Sequence, residues 1–121
     1  MKANELMIGD WVRVPSELNR EKQIRSTFDM DSAVLYEAIP LTAEILEKNG
    51  FICNIHNIYE LSVNTDTFNN LISYQPNYGG IYICKETSEG DFLSEIQLKL
   101  QYVHELQHAM NLFKIEKEIV L

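Results

Sequence analysis

The spacing of hydrophobic and polar positions predicts strands along most of the chain. Residues 11–14 alternate behind a Gly9-Asp10 turn signal, and Pro15 ends that strand because its ring removes a backbone donor. Between residues 51 and 84, β-favouring runs are separated by Asn-rich or Gly-containing turns; the runs are 51–56, 58–63, 71–75 and 81–85. Residues 92–100 alternate again. We therefore expect an antiparallel meander in the second half of the chain.

Two segments carry helical signals instead. Around residues 43–49, Thr42 suits the N-cap and Gly50 suits a left-handed stop, which predicts a short helix. From about 101 to 113 the hydrophobic residues recur at spacings of three and four, which predicts a longer helix; they are Val103, Leu106, Met110 and Phe113. We further expect a strand within 32–39 and a short edge strand at 118–121. Residues 16–31 are charged and aperiodic, and we expect a mobile loop or an irregular hairpin there.

These elements place the chain in the α+β class. Its 121 residues suffice for one core, so we expect a single domain over 1–121. The expected architecture is a mainly antiparallel sheet with one short helix and one longer C-terminal helix. The first strand, with its L-x-x-G-D-x-V pattern, resembles the start of a small SH3-like barrel.

Composition narrows the classes of function. The formal net charge of −8 disfavours nonspecific binding to nucleic acid phosphates. No apolar run approaches the roughly 20 residues that a membrane span needs, and the N-terminus carries no signal-peptide core, so we expect a cytoplasmic protein that does not bind membranes. Cys53 and Cys84 lie in apolar runs, and we expect two buried, inert thiols without a bridge.

One string has the form of an enzyme motif. His104-Glu105-Leu106-Gln107-His108 is a literal H-E-x-x-H, in which two histidines four apart on a helix would hold Zn²⁺ and Glu105 would act as general base. Against this, the spacing singles out no third ligand, although His56 or an upstream carboxylate could serve. No Asp or Glu lies at an obvious helical neighbour to orient the imidazoles. A helical wheel places both histidines roughly 160° from the centre of the apolar stripe, on the solvent side. We therefore favour a surface-exposed, non-catalytic pair with no metal, and keep a zinc hydrolase that uses His104, His108 and Glu105 as the alternative.

Three blocks of the chain resemble a family of small hypothetical proteins, without an assigned activity, of gut anaerobes and their phages and prophages. The blocks are Asn4-Glu5-Leu6-x-Ile8-Gly9-Asp10-Trp11-Val12, Ile39-Pro40-Leu41-Thr42-x-Glu44-Ile45-Leu46-x-Lys48-Asn49-Gly50-Phe51 and Tyr102-Val103-His104-Glu105-Leu106-Gln107-His108. The resemblance implies an architecture, a phage-associated origin and no particular activity. Its last block looks like V-H-[EQ]-L-Q-[HN], which implies that the positions of Glu105 and His108 vary and speaks against a shared zinc mechanism. This chain departs from the family by a longer, more charged segment at 16–31.

The leading functional hypothesis is a small, non-enzymatic protein-interaction module. Residues 51–84 hold only two charged side chains, Glu60 and Asp66, together with several tyrosines, which suit surfaces that are half apolar and half wet. Within that region we expect the hairpin that carries Tyr74, Tyr78 and Tyr82 to contact a protein partner of unknown identity. Mimicry of nucleic acid by the acidic residues is disfavoured, because the carboxylates show no regular spacing. The oligomeric state stays open.

Overall fold

The computed structural model describes residue 1 and residues 5–121, apart from the side chains at 28, 31 and 34. It has the predicted α+β fold, with one three-stranded and one five-stranded antiparallel sheet. Within the described residues, no helix is long and apolar enough to cross a membrane. The chain forms two compact units, Met1–Leu41 with Tyr102–Ala109 and Thr42–Gln101 with Met110–Leu121. A single domain over 1–121 stays a prediction.

The first unit contains the three-stranded sheet, in the order β2-β1-β3. Its strands are β1 (Trp11–Val14), β2 (Arg20–Gln23) and β3 (Glu37–Ala38), and a short helix α1 (Thr27–Asp31) lies between β2 and β3. β1, whose sequence resembles the start of an SH3-like barrel, is the central strand of this sheet. Its inward residues belong to a buried apolar cluster with residues of the flanking segments; the cluster is Leu6, Val12, Val14, Ile24, Ala33 and Tyr36.

The second unit contains the five-stranded meander, in the order β4-β5-β6-β7-β8. Its strands are β4 (Ile52–Cys53), β5 (Tyr59–Asn64), β6 (Phe68–Gln75), β7 (Gly80–Thr87) and β8 (Phe92–Lys99). Successive side chains of a strand point to opposite faces, so the inner face of this sheet collects the apolar residues. Buried there are Tyr59, Ile72, Tyr74, Ile81 and Ile83. The predicted meander and the strand within 92–100 are confirmed.

Both predicted helices are confirmed within two residues of their bounds. The short helix α2 spans Ala43–Lys48, and the Thr42 hydroxyl accepts a hydrogen bond from the backbone N–H of Ile45 at 3.2 Å, as an N-cap should. Gly50, with φ of 92°, follows in the left-handed region. The longer helix α3 spans Val103–Leu112.

The expected edge strand at 118–121 does not form. The buried side chain of Asn49 occupies the place of a strand partner: its amide nitrogen donates to the carbonyl of Val120 at 2.7 Å, and its amide oxygen accepts from the N–H of Val120 at 2.8 Å. One side-chain amide therefore satisfies both backbone groups of Val120, which a β ladder would otherwise need to do.

Three further expectations are refined by the structure. Cys53 is exposed and Cys84 half-buried, so the prediction of two buried thiols is wrong. Cys53 is exposed because it lies in β4, a two-residue edge strand with both residues exposed. The segment 16–31 forms β2, which pairs with β1 as an irregular hairpin, and α1; its mobility stays a prediction. Within 32–39, the two residues of β3 form a strand.

Candidate functional site

The H-E-x-x-H string lies in the first two turns of α3, and its first turn is fixed by backbone and carboxylate contacts. The Glu105 carboxylate accepts a hydrogen bond from the backbone N–H of Tyr102 at 3.1 Å, which satisfies a donor at the start of the helix. The N–H of Val103 donates to the carbonyl of Ile39 at 2.9 Å, and Tyr102 forms an isolated β-bridge with Pro40. The candidate general base of the zinc hypothesis, Glu105, thus caps the helix that carries it.

The next turn of α3 binds the Gly9-Asp10 turn that precedes β1. The amide nitrogen of Gln107 donates to the carbonyl of Gly9 at 2.8 Å, and its amide oxygen accepts from the N–H of Trp11 at 2.9 Å. His108 shares a 2.6 Å hydrogen bond between its Nε2 and Oδ2 of Asp10. The same carboxylate oxygen accepts the N–H of Met7 at 2.8 Å, and Asp10 is only 2 % exposed. Two side chains of α3 therefore hold the turn through three of its polar groups, the Gly9 carbonyl, the Trp11 N–H and the Asp10 carboxylate.

His104 is buried, so the prediction of a solvent-exposed pair is wrong for this residue. The residue is 6 % exposed, and its ring stacks on that of Tyr102 with the ring centroids 6.0 Å apart. The rings of His104 and His108 pack edge to face, with their centroids 5.5 Å apart. Burial lowers the pKa of His104 from its ordinary value, and the charge of His108 acts in the same direction while that of Asp10 opposes it. The helical wheel located the buried side of α3 from apolar residues alone. Its prediction for His104 is wrong because the Gly9-Asp10 turn covers the polar side of the helix.

The side chains of this cluster anchor the Gly9-Asp10 turn to α3 by hydrogen bonds. Three segments that the sequence singled out converge here: Gly9-Asp10-Trp11, Ile39-Pro40 and Tyr102–His108. Asn4, which begins the first block, lies outside the described residues. Among the residues that the structure describes, no group of three His, Cys, Asp or Glu side chains is placed to hold a metal ion. The zinc alternative stays a prediction, and so does the absence of a cofactor.

A second candidate site is a groove on the outer face of the five-stranded sheet. Its volume is about 460 Å³. The register places Gln75, Gly80 and Lys99 in one row across the sheet, and Ser73, Tyr82 and Gln97 in the next. Gly80 has no side chain and Ser73 has a small one, so these two positions form the floor. The taller side chains around them form the walls of the sheet groove.

The three tyrosines predicted to contact a partner lie in different surroundings. Tyr74 is 4 % exposed on the inner face, and its hydroxyl donates to the carbonyl of Leu100 at 3.2 Å, so its ring presents no surface. Tyr78 is 70 % exposed in the turn between β6 and β7. Tyr82 lines the sheet groove, and its hydroxyl donates to Glu95 at 2.5 Å. That hydrogen bond raises the pKa of the Tyr82 phenol and fixes the orientation of its ring. Tyr78 and Tyr82 are therefore the two available contacts.

No protein-family model, no curated protein and no solved structure matches this chain.

Sequence reasoning missed one residue in each site. Asp10 is the carboxylate that orients His108, yet it lies 98 positions away in the chain, so helical spacing around His108 gives no signal for it. Gly80 lies outside the predicted run 81–85, although it is the first residue of β7 and lines the sheet groove. Its signal was present in the strand alternation, because Gly80, Tyr82 and Cys84 share the outer face.

Proposed function

We propose that this protein is a non-enzymatic interaction module that binds a short extended segment of a protein partner in the sheet groove. The observation that carries the proposal is the groove itself, which combines an open floor at Gly80 with a fixed aromatic wall at Tyr82. Its volume lies within the range of about 300–1,000 Å³ that is typical of ligand pockets. A rigid tyrosine offers contact area at a low cost in conformational entropy, which favours binding. A phage or prophage origin and a cytoplasmic location belong to the same proposal.

The residues of the groove specify the chemistry of the bound segment. Ile58, Ile81 and Leu98 supply apolar surface, and Lys99 is the charged residue among the groove's lining residues. The other walls are neutral hydrogen-bonding groups of Ser73, Gln75, Tyr82 and Gln97. The expected ligand therefore places one apolar side chain over Gly80 and a neighbouring carboxylate near Lys99. Tyr78, exposed in the adjoining turn, extends this surface.

The test fills the groove without disturbing the fold. A Cβ at Gly80 would meet no atom within 4 Å, and its backbone lies outside the left-handed region, so Gly80→Val adds a β-branched residue that suits a strand. Ser62→Val is the matched control, since Ser62 is exposed on β5 and does not line the groove.

A photo-crosslinking amino acid is placed at Gln75 or Gln97 in cells that express the chain, and crosslinked proteins are identified by mass spectrometry.

The expected result is one protein, other than a second copy of this chain, crosslinked from both positions. Its purified form should bind the wild-type chain and Ser62→Val equally, and bind Gly80→Val at least tenfold more weakly, as measured by calorimetry. Lys99→Gln should weaken binding by a smaller factor, because an exposed ion pair contributes about 0.2–1 kcal/mol. Equal binding to wild type and Gly80→Val, or no common protein crosslinked from the two positions, refutes the proposal.

A further inference from the structure

The strand β8 forms an open edge of the five-stranded sheet. Among the strands of the described residues, β7 is its one partner. Seven of its eight residues are exposed, and Leu98 on the inner face is 41 % exposed. Edge strands usually avoid association by being short, by carrying proline or by carrying charges; β8 has eight residues and no proline, and its charged residues are Glu95 and Lys99. This edge therefore has the features of a strand that pairs with another chain.

The hydrogen bonds of β7 and β8 show which backbone groups are free. The N–H of Leu100 donates to the carbonyl of Gly79 at 2.7 Å, so residue 100 points its backbone groups towards β7. In an antiparallel pair, alternate residues point their N–H and C=O groups to opposite sides. Glu95, Gln97 and Lys99 therefore direct their backbone groups away from β7, at the open edge.

Charge selects one register for a second copy of β8. A symmetric antiparallel pair centred on Glu95 places Glu95 opposite Glu95 of the second copy. A pair centred on Lys99 does the same with the two lysines. Both are unfavourable, because like charges then lie directly opposite each other. A pair centred on Ile96 or on Leu98 places both Glu95 and Lys99 opposite uncharged residues of the second copy. A pair centred on Gln97 places Glu95 opposite Lys99 of the second copy, and does so twice.

We propose that the chain forms a homodimer in which two β8 strands pair antiparallel about Gln97, joining two five-stranded sheets into one. The outward groups of Glu95, Gln97 and Lys99 then form about six backbone hydrogen bonds with the second copy. On the other face, Ile96 comes opposite Leu98 of the second copy and covers its exposed surface. The dimer uses the backbone edge of β8. Because Gln97 and Lys99 also line the sheet groove and Glu95 holds the Tyr82 ring, dimerisation is measured on the purified chain alone.

The first experiment exchanges the two charges. Lys99→Glu places two carboxylates opposite each other at both ends of the dimer, and adding Glu95→Lys restores opposite charges. Within one chain the two positions are four residues apart on a strand, about 13 Å, which exceeds the screening length of about 8 Å at physiological salt. Restored dimerisation in the double variant therefore reports contact between chains.

Sedimentation equilibrium measures the dissociation constant of each variant. We expect Lys99→Glu to raise the dissociation constant of the dimer about tenfold, and the double variant to return it to within about threefold of wild type. A second pair of variants tests the backbone. Gln97→Pro removes an N–H that points away from β7 and should abolish the dimer, whereas Gln97→Val keeps the N–H and the dimer.

Three results would overturn the dimer. They are a wild-type chain that stays monomeric at millimolar concentration, a dimer as tight in Lys99→Glu as in wild type, and a double variant no tighter than Lys99→Glu. Circular dichroism of each variant verifies that the sheet is intact. The groove proposal fails by a different measurement, loss of the Gly80→Val effect on the crosslinked partner, so the two failures are distinguishable.

Discussion

Replacing Asp10 by alanine should destabilise the protein strongly, because one buried carboxylate serves two donors. Its Oδ2 accepts the N–H of Met7 at 2.8 Å and bonds Nε2 of His108 at 2.6 Å. Hydrogen bonds to a charged group contribute about 1.5–3 kcal/mol each. We therefore expect Asp10→Ala to lower the free energy of unfolding by about 4 kcal/mol. Asp10→Asn keeps an acceptor for Met7 and should cost about half as much.

A double-mutant cycle separates the contact with His108 from the rest. His108→Ala alone should cost about 2 kcal/mol, since Asp10 keeps its bond from Met7. The double variant Asp10→Ala/His108→Ala should cost about 1.5 kcal/mol less than the sum of the two single variants, because they remove the same interaction.

Urea unfolding provides the measurement. Trp11 is the single tryptophan of the chain and directly follows Asp10, so its fluorescence reports on the first unit, while circular dichroism reports on the secondary structure of both. Asp10→Ala within 1 kcal/mol of wild type would show that the carboxylate does not anchor the turn. Strictly additive single variants would show that Asp10 and His108 are not in contact.

Two further predictions concern other buried polar groups. Asn49→Ala should lower the free energy of unfolding by about 3 kcal/mol, because it leaves Val120 and the carbonyl of Ile45 without the amide; urea unfolding with a loss below 1 kcal/mol would contradict this role. Because the folded pKa of His104 is lowered, the unfolded chain binds more protons below about pH 6.5, and stability should fall as pH drops through that value by up to about 1.4 kcal/mol per unit. His104→Phe should reduce this slope in unfolding measured from pH 7.5 to 5, and an unchanged slope would contradict the role of His104.

Elements with local signals were the ones that the sequence predicted well. The helix α2 follows from its own cap at Thr42 and its stop at Gly50, which act within a few residues. The strand β8 follows from alternation within eight residues.

The sites depend on residues that are distant in sequence. The Asp10–His108 contact joins positions 98 apart, and the Asn49–Val120 contact joins positions 71 apart. Hydrophobic periodicity predicts which side of an element meets a core, but it does not indicate which polar group will meet which. His104 illustrates the result: its polar character predicted exposure, and the neighbouring turn buried it.

The sequence by itself determined the α+β class, the order of most strands and helices, and the bounds of both predicted helices to within two residues. Each of these depends on propensity, capping and periodicity within a short segment. The tertiary structure alone decided that the histidine motif anchors a turn, that Tyr74 is buried while Tyr82 lines a groove, and that β8 lies at an edge. These outcomes depend on strand register and on contacts between distant segments, which local patterns do not encode.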